Sequence, residues 1–187
     1  GYRLVKGEIK NQEWVSPTFN TTADGALYFN VVDLAKWDAA LYTEKLVKRA
    51  SLDRMWTVVP LNDGKPNRGK YGFAWEINTV NGHRLIEHGG AWQGFTTHIA
   101  RYVDDKLTIV VLTNLDSAHS KPWKIAHDVA GLLNPALVQP PAKPIEDKEP
   151  GVTSMLQKLF ASMAEGKVES SQFTPKEWEE LSPNLDD

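Results

Sequence analysis

The sequence predicts an α+β fold: an antiparallel β-sheet flanked by helices, followed by a C-terminal helical appendage. Strand-like runs succeed one another between residues 71 and 114 with turns too tight for a helical crossover, so neighbouring strands must run antiparallel. Segments of helical period lie on either side of that block, near residues 31–41 and 120–133. The proline-rich stretch NPALVQPPAKPIEDKEP (134–150) then separates the block from a later helical pattern, as a semi-rigid linker would.

In chain order, Tyr2 to Val5 and Glu8 to Val15 flank Lys6-Gly7, the pattern of a short hairpin. The turn-rich SPTFNTTADG follows. Asn30 then precedes Val31, Leu34, Trp37 and Leu41, an amphipathic helical face that Asp38 interrupts. A second helix is predicted over Glu44 to Met55, and the polar LNDGKPNRGK reads as a surface loop. Tyr71 to Thr79 and His83 to His88 flank Asn81-Gly82, a pair that accepts positive φ at both turn positions. Strands at about 94–103 and 106–114 are joined around Asp104-Asp105. Leu107 to Leu112 carries apolar residues on both faces, which predicts a central strand covered on both sides. Ser120 is placed to cap a helix with Ile125, Val129 and Leu132 on one face, halted by Asn134-Pro135. Beyond the linker, Val152, Leu156, Leu159, Phe160 and Met163 make another helical stripe that stops at Gly166, and Thr174-Pro175 opens a last helical turn. Given the stiff linker and the narrow stripe, residues 151–187 are expected to make few contacts with residues 1–133.

Composition narrows the function classes. With 187 residues, 41% of them hydrophobic and 24% charged, the chain can build one substantial core plus an appendage. A net charge of -3, with no basic stripe interleaved with aromatics, gives no footprint for nucleic acid. No apolar run is long enough to span a bilayer. The absence of cysteine removes disulfides, thiolate nucleophiles and cysteine-based zinc sites. The opening GYRLVKGEIK lacks the apolar core of a signal peptide and does not begin with Met, so the chain is expected to be an interior piece of a longer protein.

The stretch with the most chemical character is EHGGAWQGF, Glu87 to Phe95, where an imidazole and two glycines interrupt strand-like sequence. Glycine within a strand forfeits side-chain packing, so it marks a bulge or a place where something approaches the backbone. His88 admits two readings, a strand histidine satisfied by a neighbour or a functional group beside that approach. The other histidines, His83, His98, His119 and His127, show no helical His pair with Glu and no other metal-ligand spacing. They are expected to be surface or packing residues, with no metal and no cofactor.

Several short motifs occur in a telling order: ADGALY (23–28) leading into DLAKW (33–37), then YGFAW (71–75), His88-Gly89-Gly90 running to Gly94-Phe95, and VVLTN (110–114). Together they resemble the C-terminal part of the serine β-lactamase-like family, which includes class C β-lactamases, penicillin-binding DD-peptidases and related esterases. The resemblance covers roughly residues 1–133 and implies a partial β-lactamase/transpeptidase-like fold. It divides the chain into a hydrolase portion at 1–134, the linker at 135–150 and the start of a helical appendage at 151–187, the last similar to one that some relatives carry. It also implies acyl transfer through a serine ester, with ester, amide or β-lactam substrates. The family carries a Ser-x-x-Lys nucleophile helix, a Tyr-x-Asn or Tyr-x-Ser loop, and a Lys-Thr-Gly strand often replaced by His-x-Gly. His88-Gly89-Gly90 occupies the third place. On that resemblance His88 is catalytic, the Ala91 backbone N–H is one oxyanion donor, and Gly89, Gly90, Trp92 and Gln93 border the substrate. A side chain at Gly90 would obstruct the approach to the Ala91 N–H, while Trp92 either shapes the pocket mouth or simply packs.

The other two motifs depart from the family. No Ser is followed three residues later by Lys, and Ser51-Leu52-Asp53-Arg54 ends in an arginine that cannot act as a base near neutral pH. Tyr28-Phe29-Asn30 matches Tyr-x-Asn literally, yet Asn30 is well placed to cap the following helix, with Asp33 adding favourable charge. The nucleophile and the tyrosine loop are therefore expected upstream of residue 1, and the chain alone is expected to be inert. It would associate with itself or with a complementary fragment. An imidazole, mostly neutral at pH 7, offers a substrate carboxylate no permanent cation where lysine would, which favours ester or peptide substrates. The family resemblance implies a periplasmic or extracellular setting. The alternative is a relative that has lost catalysis and serves as a binding or regulatory domain.

Overall fold

The computed structural model describes residues 1–13, 27–65, 67–117, 120–141 and 144–182. These divide into two compact units, Gly1–Leu4 with Glu8–Pro140, and Val5–Gly7 with Pro141–Asp187. In chain order the elements are β1 (Tyr2–Val5), β2 (Glu8–Asn11), α1 (Val31–Leu41), α2 (Arg49–Met55), β3 (Glu76–Val80), β4 (His83–Trp92), β5 (Phe95–Tyr102), β6 (Leu107–Thr113), β7 (Leu115–Asp116), α3 (Pro122–Leu133), α4 (Pro150–Ala164) and α5 (Pro175–Leu181). The turn-rich 16–25 and His119 lie outside the described residues.

The α+β architecture expected from the sequence is present. A four-stranded antiparallel sheet has the order β3-β4-β5-β6, and a three-stranded sheet has the order β2-β1-β7 with β1 parallel to β7. The β3–β4 hairpin turns at Asn81 (φ 49°) and Gly82 (φ 91°), both left-handed as a type I′ turn demands. The Asn81 amide also donates to the carbonyls of Ala136 (2.9 Å) and Val138 (3.0 Å), fastening the turn to the segment after α3.

β4 is the strand buried on both faces. Leu85 joins Val80, Ala100 and Tyr102 against Ala126 and Ala130 of α3 and against Leu137. Its neighbour Ile86 faces the opposite way, toward Leu41 of α1, Leu52 of α2, Trp56 and Trp75. Helices thus cover both sides of the sheet. Between β2 and α1 the expected capping of α1 is met: the Asn30 side chain accepts from the Asp33 N–H at 2.9 Å.

Several details differ from the sequence expectation. Leu107 to Leu112 is half-buried, with Leu112 38% exposed, and β6 lies at one side of the described sheet rather than at its centre. Apolar residues on both faces report helices above and below a strand; they do not report strands on both edges. In α3 the buried stripe is Pro122, Ala126 and Ala130, whereas Ile125 and Leu132 point outward, Leu132 being 84% exposed. Small residues let the helix lie close to the sheet, where the larger side chains of the neighbouring stripe would not fit. Ser120 does not cap α3, whose N-cap position is Lys121. Its hydroxyl instead joins Thr96 (2.5 Å) and Thr113 (3.1 Å) in a hydroxyl cluster. The second helix begins at Arg49 rather than Glu44.

Asp38, the polar interruption in the α1 face, has a structural explanation. Its carboxylate accepts from Nε of the fully buried Arg101 at 2.5 Å. The guanidinium lies against the rings of Tyr42 (5.1 Å), Trp56 (5.0 Å) and Trp75 (5.6 Å). Among the described residues its two terminal nitrogens make no hydrogen bond of regular geometry, and the aromatic faces supply the electrostatic compensation that oxygen acceptors would otherwise give. Gly72 shows a second constraint: a Cβ there would stand 2.2 Å from the Met55 carbonyl oxygen, so the backbones of α2 and the 71–75 segment touch directly.

In the second unit α4 has no buried residue, and α5 begins with a reciprocal capping box between Thr174 and Glu177. No helix of the described residues is long and apolar enough to cross a membrane.

Removing one partner of the buried pair leaves an uncompensated charge in the core, at a cost of roughly 3–5 kcal/mol. Asp38→Ala is therefore expected to lower the free energy of unfolding by about that amount in urea titrations followed by tryptophan fluorescence, whereas Asp38→Leu combined with Arg101→Met should lose clearly less. Equal losses in the single and double variants would contradict the assignment.

Candidate active site

The geometry of the His-Gly-Gly segment follows from unequal strand lengths. Pairing of β3 with β4 runs from Val80↔His83 to Glu76↔Glu87 and stops there, while β4 continues against β5 to Trp92↔Phe95. Residues 88–92 therefore pair with β5 on one side and have no β3 partner on the other. The N–H of Val103 donates to the carbonyl of Arg84 at 3.2 Å, which marks Arg84↔Val103 as a hydrogen-bonded pair. Alternation along an antiparallel ladder then directs the backbone groups of residues 86, 88, 90 and 92 toward β5, and those of 85, 87, 89 and 91 away from it. The Ala91 N–H accordingly points to the edge that β3 leaves open.

His88 sits half-buried at the start of that edge. Its Nδ1 lies 2.5 Å from the Gly89 carbonyl oxygen, which only accepts, so Nδ1 carries a proton. In the neutral ring Nε2 is then an acceptor and accepts a hydrogen bond from the Tyr71 hydroxyl at 2.8 Å. Tyr71, from the YGFAW motif, meets the imidazole edge-on with ring centroids 5.7 Å apart. The structure thus joins two of the sequence motifs through one hydrogen bond.

The two glycines differ. A Cβ on Gly89 would meet nothing closer than 3.8 Å, so its own fold does not demand glycine there. A Cβ on Gly90 would stand 2.4 Å from Oγ1 of Thr97, its cross-strand partner. Packing against Thr97 is therefore a second reason for glycine at 90, one that sequence reading did not supply. Trp92 closes β4 and is half-buried, and Gln93 with Gly94 (φ 81°) makes the turn into β5. The Gln93 side-chain oxygen is buried and has no hydrogen-bond partner among the described residues.

Glu87, one residue before His88, faces the opposite side of the sheet. Its Oε2 receives Nε2 of His98 (3.0 Å) and Nε2 of His127 (2.6 Å), and its Oε1 receives the Asn78 amide (2.8 Å). Burial alone would raise its pKa, but the hydrogen bonds from His127, His98 and Asn78 outweigh burial and hold it down to about 2. Tyr102 shows the reverse: burial, then the nearby Glu87 charge, push its hydroxyl up to about 12. His98 and His127, expected as surface or packing residues, are gathered here from β5 and α3. No spacing rule finds them, because they lie 11 and 40 residues from Glu87 and meet only through sheet register and helix docking.

The remaining motif-like stretches are structural. Tyr28-Phe29-Asn30 ends in the α1 cap, with the Asn30 amide also donating to Asp33 at 2.8 Å. Ser51-Leu52-Asp53-Arg54 lies in α2, where Leu52 is core and Asp53 pairs with Arg49 at 2.9 Å. A shallow depression lined by Asp53, Arg54, Thr57, Val59 and Phe73 among others does not include His88.

Comparison with known proteins bears on this geometry. The family model described as Beta-lactamase matches residues 2–130. The chain is similar to penicillin-binding protein 4* of Bacillus subtilis, 25% identical over 158 residues that make up 84% of this chain and 35% of that protein. It is also similar to the D-aminopeptidases of Brucella ovis and Brucella canis, each 26% identical over 123 residues, 65% of this chain and 22% of theirs. The chain thus spans about a third or less of the length of these relatives.

Because Glu87 titrates near 2 in the folded chain against 4.5 when unfolded, its contribution is complete above about 4.5 and lost as pH falls toward 2. At 1.36 kcal/mol per pKa unit the contribution is about 3 kcal/mol. The stability gap between wild type and Glu87→Gln, measured by urea unfolding, should be largest near pH 6 and shrink by about that amount by pH 2. A gap independent of pH would contradict the hydrogen-bonded carboxylate.

Proposed function

The chain belongs to the Beta-lactamase family, and we propose that it is the part of a serine hydrolase that supplies the His-Gly-Gly wall of the cleft and one oxyanion donor. The observation that carries this reading is the stretch of β4 after Glu87 that β3 leaves unpaired, where the ladder turns the Ala91 N–H to the edge away from β5. In serine acyl transfer, a serine oxygen adds to the substrate carbonyl and the carbonyl oxygen gains negative charge. A rigid backbone N–H aimed at that oxygen stabilises the charge without reorganisation, and losing one such donor typically costs 10²–10³-fold in turnover. Ala91 fills this role. The reading requires a second N–H, a serine and its basic partner from elsewhere in the parent protein.

His88 orients the acyl substrate or passes a proton, with Tyr71 holding its ring. Its imidazole provides no permanent cation, which supports an ester or amide substrate. The names of the relatives, a penicillin-binding protein and D-aminopeptidases, support an acyl substrate of peptide or penicillin kind. The exposed Tyr28, Val31 and Val32 at the start of α1 suit burial by the remainder of such a domain or by a second copy. We place the parent protein in the periplasm or outside the cell, where such substrates occur.

Two experiments test the reading. The chain by itself should remain unlabelled by a fluorophosphonate or a penicillin probe; a covalent adduct mapped to one of its serines would overturn the assignment of the nucleophile. In the complete parent protein, Gly90→Ala should destabilise the fold through Thr97, and Gly90→Ala with Thr97→Ala should recover that stability. If Gly90 leaves room for substrate to reach the Ala91 N–H, the double variant will still turn over about 10²-fold more slowly. Recovery of both stability and turnover would mean that Gly90 serves packing alone.

A further inference from the structure

We propose that Glu87, His98 and His127 form a binding site for one divalent transition-metal ion of the zinc class, which ties α3 to the strand carrying His88. The inference stands independently of the catalytic reading above. One ligand atom from each of Glu87, His98 and His127 lies within 4.8 Å of the other two, the one such group of potential ligands among the described residues. They come from three elements, β4, β5 and α3. Two imidazoles and one carboxylate form the donor set that borderline-soft dications take, with a fourth position left for water. Hard, all-oxygen-seeking ions such as Mg²⁺ and Ca²⁺ are disfavoured by the same two imidazoles.

The geometry fits with a small adjustment. Zinc-to-ligand bonds near 2.0–2.2 Å in a tetrahedron place neighbouring ligand atoms about 3.3 Å apart. Here Oε2 stands 3.0 Å from His98 Nε2 and 2.6 Å from His127 Nε2, so each has to open by less than about 1 Å. His127 is the ring able to move, since its side chain is 17% exposed while those of His98 and Glu87 are nearly enclosed. The two rings meet at 85°, so their nitrogens approach from different directions rather than in a stack.

The proton balance is simple. Without metal, each neutral ring holds its proton on Nε2, directed at the carboxylate. On binding, that proton moves through solvent to Nδ1 of the same ring, and the freed Nε2 lone pair takes the ion, so neutral rings release no net proton. The Asn78 amide on Oε1 fixes the carboxylate orientation from outside, as outer-shell groups do in metal sites. Trp123, half-exposed on α3, has its ring 6.2 Å from that of His127. The ion would lock His98 in place beneath the strand: His98 Nδ1 lies 3.8 Å from where a Gly89 Cβ would project.

The test is calorimetric titration of Zn²⁺ into the untagged chain after chelator treatment. One saturable site per chain is expected, with low-micromolar or tighter affinity, and Co²⁺ at the same site should show the intense visible absorption of tetrahedral coordination. His127→Gln should weaken Zn²⁺ binding by more than about 100-fold, beyond the loss that outer-shell partners cause. His83→Gln, whose ring pairs instead with Asp105, should bind as wild type does. As a check that needs no variant, ¹⁵N NMR of the wild-type chain should show Zn²⁺ shifting the Nε2 resonances of His98 and His127 and leaving those of His83 in place. Absence of a saturable site, undiminished affinity in His127→Gln, or unmoved His98 and His127 resonances would each overturn the proposal.

Discussion

The arrangement depends on one mismatch in length: β3 ends opposite Glu87, while β4 runs on to Trp92. A strand paired on one side only presents a row of unspent N–H and C=O groups, normally a hazard that proteins cover or shorten. Here the unpaired stretch is also where bulky side chains give way to two glycines. An open backbone edge, small residues and a half-buried imidazole coincide over five residues, 88–92. The alternation of the pleat then separates the two jobs of the strand. His88 and Gly90 face one side, while Glu87 faces the other and anchors the strand to α3.

That anchoring explains how an open edge stays in place. β4 is held by core on both faces, Leu85 toward α3 and Ile86 toward α1 and α2. Each face also carries one buried ionic device. On the α1 side Arg101 and Asp38 sit among aromatic rings; on the α3 side Glu87 is saturated by two imidazoles and an amide. Both are costly to break because removal of one partner strands the other in a low-dielectric interior. The Asp38 that interrupts the apolar face of α1 is thus the counterion that makes a buried arginine tolerable.

Much of this was legible in the sequence, for reasons specific to each element. Asn81-Gly82 and Lys6-Gly7 encode turns through local φ preferences, and Asn30 and Thr174 encode caps through single side chains; such signals need no tertiary context. The His-Gly-Gly segment stood out because glycine conflicts with strand packing. Legibility failed where the deciding contact is distant. The helical period of α3 fits either the Ile125-Leu132 stripe or the Ala126-Ala130 stripe, and only the closeness of the sheet selects the small one. Ser120 prefers two threonine hydroxyls over the helix end. The convergence of Glu87, His98 and His127 depends on register between strands and on the docking of a helix, which no residue spacing records.

The most direct measurement is a crystal structure of the complete parent protein carrying a phosphonate or boronate adduct on its nucleophilic serine. The account predicts one adduct oxygen within about 2.7–3.1 Å of the Ala91 nitrogen, on the edge of β4 beyond the end of β3, with the His88 ring beside the adduct. An adduct bound away from residues 88–92, or an Ala91 N–H turned to another partner with the adduct in place, would contradict it.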